Sequence, residues 1–289
     1  MLKDSLQQLM KGHDLDRAAC QNALTSMLAE DANPVQTAAF LALLHAKHET
    51  ADELMSLVLA CKQRMLPVPT PHRVMDIVGT GGDGAHTINI STGSAILAAS
   101  CGVKLVKHGN RAVSSLAGSA DVLEALGVAI DLTVEQIMAS VDQIGIGFCF
   151  GPQFHPAMRA LRTVRQQLSI PTTFNILGPL LNPANPAHYL LGVFNETLLR
   201  PVAQSLQQLG TQRSVVAHGC LLDEISCIGP TKIIEINQTD LHEYTIKPGQ
   251  FGLKQCNMAD LRGGNAQTNA QILWEVFSNG LHHRQIADT

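Results

Sequence analysis

The sequence has no continuous apolar run approaching the roughly 18 to 20 residues needed to cross a bilayer. Its polar start, Met1-Leu2-Lys3-Asp4-Ser5, also lacks the apolar stretch of a secretory signal. Both absences point to a soluble, cytoplasmic protein with no membrane partner. No CxxC pair occurs among the seven cysteines (Cys20, Cys61, Cys101, Cys149, Cys220, Cys227, Cys256). The odd, scattered set argues against a disulfide framework or a zinc ribbon and for buried free thiols in a reducing compartment. Basic charge is scarce, with a net charge of −4, which argues against a partner made of nucleic acid, since neutralising phosphates takes a basic face. Aromatics make up 4% of the chain while hydrophobic residues make up 45%, so the core is expected to be aliphatic. There is no internal repeat and no low-complexity tract.

What is present is enough chain for more than one core. At 289 residues the protein exceeds the usual size of a single compact unit, and one large domain with a smaller one is expected. Leu15, Ala19, Ala23 and Met27 recur every four residues, the spacing of one helix face, with the helix ending near Glu30. Asn33-Pro34 reads as N-cap and first helical position of a mostly apolar helix through Ala46. Thr50 with Glu53 forms a capping box, and Leu54, Val58, Cys61 and Met65 continue a buried stripe. Residues 1–66 are therefore expected to form a helical domain. Pro67, Pro69 and Pro71 remove donors and force extended backbone, so Pro67 to His72 reads as a linker.

The pattern then changes. Short apolar runs at Val74–Val78, Val103–Lys107, Val128–Leu132, Ile144–Phe150, Tyr189–Phe194 and Ser214–His218 are separated by stretches of helical period such as Thr133–Gln143 and Pro156–Leu168. Strands alternating with helices imply crossover connections and a mainly parallel sheet over residues 67–289. The closely spaced runs Lys232–Asn237 and His242–Ile246 are expected to pair antiparallel. A last helix is expected from about Ala266 to Phe277, ending at Asn279-Gly280, with a polar, frayed tail.

The densest chemical signal is Gly79-Thr80-Gly81-Gly82-Asp83-Gly84. It contains G-x-G-x-x-G after an expected strand, but Thr87-Ile88-Asn89-Ile90 intervenes before any helix and the next strand ends in Lys107-His108 instead of an acid. The dinucleotide fingerprint therefore fails. The phosphate loop of nucleoside triphosphatases fails too, because Ala85-His86 stand where Lys and Ser/Thr would. Next, Asn89-Ile90-Ser91-Thr92 opens an apolar helix, with Ser91 or Thr92 as N-cap and the free N–H groups of its first turn available to an anion. The segment Lys107-His108-Gly109-Asn110-Arg111-Ala112-Val113-Ser114-Ser115 gathers three potential cations and two hydroxyls at the end of a strand, with Ser119 close behind. Sites in open parallel sheets form at the carboxyl ends of strands, so this segment should face the glycine loop across one crevice. The adjacent acids Asp223-Glu224 suit magnesium, which binds one or two carboxylates plus substrate phosphates. Arg165 can grip a carboxylate bidentately.

In this order, the motifs resemble anthranilate phosphoribosyltransferases. The likeness rests on Gly79 to Asp83, Asn89 to Thr92, Lys107 to Arg111, Gly118-Ser119-Ala120-Asp121, His155-Pro156-Ala157-Met158, Asn175 to Leu180 with Asn182-Pro183, and Leu222-Asp223-Glu224-Ile225, and runs from about Leu2 to Gly280. It implies a small all-helical N-terminal domain on a large α/β domain of the nucleoside phosphorylase/phosphoribosyltransferase kind, and a homodimer formed through the helical part. It also implies a step of tryptophan biosynthesis in which phosphoribosyl pyrophosphate and anthranilate are joined with Mg²⁺. By the same resemblance, Gly82, Asp83, Thr87, Asn89, Ser91, Thr92, Lys107, Ser115 and Ser119 contact the phosphoribosyl donor. Ile90, His108, Gly109, Arg111, Ala112, Val113 and Ser114 complete the substrate-binding runs. Ser91, Asp223 and Glu224 take the magnesium, while Gly79, Asn110 and Arg165 hold anthranilate. No residue is expected to act as a covalent catalyst, because stabilising the departing charge and positioning the amine suffice.

The chain departs from the family at Ala117 and Gly151, where relatives often carry Ser and Ala, and in stopping at Thr289, where relatives continue with an Ala- and Leu-rich helical segment. The latter leads to the expectation of an exposed apolar face. Two alternatives share the fold: a pyrimidine nucleoside phosphorylase, which would not need the acid pair for pyrophosphate-bound magnesium, and a non-catalytic relative that binds nucleic acid.

Overall fold

The computed structural model describes residues 2–112, 115–279 and 283–289. Helices α1 (Leu2–Met10), α2 (Arg17–Met27), α3 (Pro34–Lys47) and α4 (Ala51–Lys62) come first. Their starts are local in origin. Asp16 caps α2 by accepting from the Ala19 N–H, Asn33 caps α3 by accepting from Val35 and Gln36, and Thr50 and Glu53 close the capping box of α4. Helix α4 is buried nearly all round, from Glu53 to Val58 and at Ala60 and Cys61, so it is the central rod of the helical part. Glu53 tolerates full burial because its carboxylate accepts from Leu15 N–H at 2.8 Å, Thr50 N–H at 2.9 Å and Lys47 Nζ at 2.8 Å.

The remainder alternates. In chain order come β1 (Met75–Gly79), α5 (Ile90–Ser100), β2 (Leu105–Gly109), α6 (Ser119–Ala125), α7 (Val134–Ile144) and β3 (Ile146–Phe150). Four helices follow, α8 (Gly151–Phe154), α9 (Pro156–Ala160), α10 (Arg162–Leu168) and α11 (Thr173–Leu180). Then come β4 (His188–Gly192), α12 (Leu199–Gln208), β5 (Arg213–Gly219), β6 (Thr231–Asn237), β7 (Asp240–Ile246), α13 (Ala266–Asn279) and α14 (Arg284–Asp288). The seven-stranded sheet has the order β3-β2-β1-β4-β5-β6-β7. The first five are parallel, in the register Asp76 to Tyr189 and Lys107 to Phe148, and β6 and β7 are antiparallel, as their spacing requires. The chain proceeds from β1 outward through β2 and β3, then returns to place β4 on the other side of β1. That reversal opens a crevice at the carboxyl ends of β1 and β4.

Several elements differ from expectation. Val128–Leu132 is not a strand: it joins no ladder of the sheet, and Ile130 is buried instead by packing with Ala120 and Leu123 of α6 and Phe148 of β3 in the connector between α6 and α7. The expected helix Pro156–Leu168 is broken into α9 and α10 at the buried Leu161. The proline segment is anchored at its start, with Leu66 N–H donating to Phe154 O at 2.9 Å and Val68 N–H to Pro183 O at 3.1 Å. Arg284–Asp288 is helical where a frayed tail was expected. Of the cysteines, Cys101 is exposed and Cys220 half-buried, while the other five are buried.

One aliphatic core joins the two parts. Phe40, Leu41, Leu44, Leu54 and Leu57 of α3 and α4 share a cluster with Phe174, Leu177 and Leu180 of α11, Val202 and Leu206 of α12, and Leu191 of β4. Helix α11 is thus placed between the helical part and the sheet. Trp274 and Phe277 of α13 are exposed. Among the described residues no helix is long and apolar enough to cross a membrane.

Candidate active site

The glycine loop after β1 needs its glycines. Gly81, Gly82 and Gly84 have φ of +65°, +88° and +68°, values that a side chain would strain. The loop is tied to the switch point, since Thr80 N–H donates to Gly192 O at 3.0 Å and Gly81 N–H to Asp223 Oδ2 at 2.6 Å.

The acid pair is far from a surface turn. The stretch carrying Asp223 and Glu224 lies across the carboxyl ends of β1, β4 and β5, in space that three glycines leave open. A Cβ on Gly79 would fall 2.2 Å from Asp223 Oδ2, one on Gly192 1.5 Å from Asp223 O, and one on Gly219 2.5 Å from Glu224 O. Asp223 is buried, and burial together with the charge of Asp83 pushes its carboxyl up to about 7. Glu224 is also raised, by burial first and then by Asp223, although Lys107 and a hydrogen bond from the Ser91 N–H oppose the shift. Acids crowded together in this way favour a bound cation or a shared proton.

Helix α5 brings the hydroxyls. Its N-cap is Asn89, not Ser91 or Thr92, which fall within its first turn. Thr92 Oγ1 is buried and has no partner. Lys107 is buried in the middle of β2, and its Nζ donates to Ile77 O at 2.5 Å and to Ser91 Oγ at 3.4 Å. Burial lowers its pKa, while Asp76 and Glu224 act in the opposite direction. Asp83, Ser91, Lys107, Asp223 and Glu224 therefore form one connected polar group. Among the described residues no cluster of three or more His, Cys, Asp or Glu forms a complete metal cage. A hard cation would be held by the acid pair and Ser91 together with oxygens of a bound substrate, which is the usual manner of magnesium. The oxygen-only donor set and the unpartnered Thr92 hydroxyl fit that group.

The run after β2 divides. Of its three potential cations only Lys107 faces the acid group. His108 is buried, its Nδ1 lies 3.2 Å from Gly178 O, and its pKa is pushed down to about 3 by burial and by His155, so it is neutral. Arg111 pairs with Asp121 at 2.9 Å and Glu124 at 2.5 Å and lies over the Phe150 ring. Its guanidinium is thus committed to α6. Asp121 shapes the loop by accepting from the N–H groups of Ala112 and Gly118, both at 2.9 Å. Ser119 packs against Gly109, and its Oγ lies 3.4 Å from Asn110 O. Ser115 and Asn110 are exposed, and Thr87 is half-buried, bridged to Arg262. Val113 and Ser114 lie outside the described residues.

Helix α11 supports the far wall. Arg165 Nη2 reaches Asn175 Oδ1 at 3.5 Å, its guanidinium lies 5.7 Å from the Phe174 ring, and its Nε is buried without a partner. No carboxylate among the described residues pairs with it, so a half-buried cation awaits an anion. One turn on, Gly178 holds His108, whose Nε2 is also unpartnered, as is that of His155, 4.9 Å away ring to ring.

Sequence reasoning missed Asp76. It is fully buried in β1, accepts from Asn182 Nδ2 at 2.8 Å and from His108 N–H at 3.4 Å, and burial pushes its pKa up to about 6. An acid inside an apolar strand run was the available signal.

Two family descriptions match the chain: the helical bundle domain of a glycosyl transferase family over residues 3–65 and the a/b domain of that family over residues 71–288. The anthranilate phosphoribosyltransferase of Chlamydia felis (strain Fe/C-56) is 44% identical over 279 residues, covering 96% of this chain and 81% of the relative. That of Methanosarcina acetivorans is 43% identical, covering 96% of this chain and 75% of the relative. The structure superposes on anthranilate phosphoribosyltransferase from Thermus thermophilus with a TM-score of 0.90 at 37% identity, covering 99% and 85% of the two chains. It superposes on the Saccharomyces cerevisiae enzyme in complex with PRPP and Mg with a TM-score of 0.91 at 29% identity, again covering 99% and 85%. With fold, motif order and extensive identity in agreement, the chain belongs to the anthranilate phosphoribosyltransferases of this glycosyl transferase family.

Proposed function

We propose that this protein transfers the phosphoribosyl group of phosphoribosyl pyrophosphate to the amine of anthranilate, releasing pyrophosphate, as a step of tryptophan biosynthesis. The observation that carries the reading is the connected polar group at the switch point, with Asp223 and Lys107 buried and Asp83, Ser91 and Glu224 half-buried. As pyrophosphate departs, negative charge grows on it and positive charge on the ribose C1, so the site must stabilise the first and present the amine to the second. Lys107 and the first turn of α5 supply fixed positive charge and N–H donors for the phosphates. Magnesium, held by Ser91, Asp223 and Glu224, would neutralise charge on the leaving group. Arg165 meets the carboxylate of anthranilate and Asn110 helps orient its ring. Gly79 has a second role in leaving room for Asp223. The homodimer and the cytoplasmic location belong to the same reading, and exposed Met10 and Val35 on the helical part suit an interface between copies.

The decisive assay is the loss of anthranilate fluorescence when phosphoribosyl pyrophosphate and Mg²⁺ are added. The double substitution Asp223→Asn, Glu224→Gln should require far more Mg²⁺ for half-maximal rate. Absence of turnover in the wild type would refute the activity, and an unchanged Mg²⁺ dependence in the double variant would refute the metal assignment.

A further inference from the structure

Asn269 stands 180 residues from Asn89 yet donates to it, Nδ2 to Oδ1 at 2.8 Å. It is 1% exposed, on the first turns of α13, and its own Oδ1 accepts from Gly264 N–H at 2.7 Å. Both ends of its amide are therefore used, which defines which way it points. The chain leading to it is built against the glycine loop. Ile88 N–H donates to Leu261 O at 3.0 Å, Gly263 N–H donates to His86 O at 2.9 Å, and Thr87 bridges Arg262. Gly263 has no room for a side chain, since a Cβ would lie 2.6 Å from Thr87 O and 2.8 Å from Asn269 Oδ1.

The consequence appears at α5. Asn89 is the N-cap, and asparagine is among the best residues at capping with its side-chain oxygen. Here it makes no such bond. Its Oδ1 is held by Asn269, and its Nδ2 donates to Ala117 O at 3.1 Å, which ties down the loop bearing Ser115 and Ser119. The Ser91 N–H that a conventional cap would occupy is left to Glu224. We propose that Asn269 is a positioning residue for the phosphoribosyl donor: it withholds the Asn89 side chain from capping its own helix. The start of α5 thereby stays open to Glu224 and to phosphate oxygens. This rests on the reading above that the start of α5 faces the donor.

Asn269→Asp tests it, because the variant keeps the acceptor for Gly264 and replaces only the donor to Asn89 with an oxygen that repels it. The Michaelis constant for phosphoribosyl pyrophosphate should rise about tenfold, the scale of one net hydrogen bond, while that for anthranilate stays within about twofold. Calorimetric binding of phosphoribosyl pyrophosphate with Mg²⁺ should weaken by the same factor. In an Asn89→Ala background the second substitution should add less than about twofold, since the side chain it acts through is gone. A folded Asn269→Asp protein with unchanged donor affinity, equal losses for both substrates, or additive effects in the double variant would overturn the proposal. Should that variant not fold, Asn269→Ser, too short to reach Asn89, carries the same expectations. An inactive wild type would instead remove the functional reading beneath it, so the two failures are distinguishable.

Discussion

Gly192→Ala adds a single methyl group at the end of β4, and the structure leaves it no place. The new Cβ would lie 1.5 Å from the carbonyl oxygen of Asp223 and 2.3 Å from its carbon. Gly192 itself cannot retreat, because it is paired on both sides in the sheet, with Gly79 of β1 and Ala217 of β5. The acid stretch must therefore move by about 2 Å to restore ordinary contact, and backbone cannot rotate aside as a long side chain would. That displacement breaks the 2.6 Å bond from Gly81 N–H to Asp223 Oδ2. Overpacking costs about 1 to 3 kcal/mol, and losing a hydrogen bond to a charged acceptor costs about 1.5 to 3 kcal/mol. A net loss of about 3 to 5 kcal/mol follows, or on the order of 10 °C in melting temperature for a chain of this size. Because the displaced residues include both acids of the proposed metal site, half-maximal rate should also need several times more Mg²⁺. A thermal melt and a Mg²⁺ titration of initial rate measure both effects. Gly249→Ala, where nothing lies within 4 Å of the added carbon, is the control and should change neither. If Gly192→Ala melts and titrates like the wild type, the acid stretch does not lie against the strand end and the account of the site is wrong.

Arg165→Ala should raise the Michaelis constant for anthranilate about 10- to 100-fold, the scale of one hydrogen bond to a charged group, and leave that for the phosphoribosyl donor nearly unchanged. Acceptors without the carboxylate should lose little, and equal losses for both substrates would make the arginine merely structural. The pair of half-buried His45 and buried Glu49, 3.0 Å apart with Thr173 Oγ1 donating to Glu49 at 2.6 Å, ties α3 to α11. The hydrogen bond to Glu49 raises His45 above its ordinary 6.5, so that part of the stability is complete below pH 6.5 and is lost as pH rises through the shifted value. Burial opposes ionisation of Glu49, but bonds from His45 and Thr173 prevail and hold it below its ordinary 4.5; its contribution is present above pH 4.5 and lost as pH falls through the lowered value. Melting temperature should therefore fall toward both sides of this window, and in Glu49→Gln the dependence should flatten; an unaltered profile would refute the coupling. Thr133→Ala removes the capping box of α7 and should cost about 1 kcal/mol by denaturant unfolding; no change would mean the cap is idle.

The elements that could be read from the sequence are those whose cause lies within a few residues. Asn33-Pro34, Thr50 with Glu53 and Thr133 begin helices through bonds to their own first turn, so the spacing alone locates them. Gly81, Gly82 and Gly84 likewise announce a backbone that only glycine adopts easily. The strand run Val128–Leu132 misled because an apolar alternation shows what a segment will bury and not whether its backbone will join a ladder: Ile130 is buried against α6 and β3 without pairing. The family and the order of its motifs were present in the linear sequence, and so were the residues proposed for phosphate, metal and acceptor.

Tertiary structure decided which of those residues can act. Asp223-Glu224 looks like a surface turn until the ends of β1, β4 and β5 place glycines beneath it, and burial then raises both carboxyls. His108 and Arg111 look as cationic as Lys107. Folding makes the first neutral by burying it beside His155 and commits the second to Asp121 and Glu124. Asn89 and Asn269 meet only because β1, α5 and α13 converge on one end of the sheet. Local bonds are specified by short spacing and survive in any context, whereas charge state and side-chain direction depend on desolvation and on partners that only the packed chain brings together.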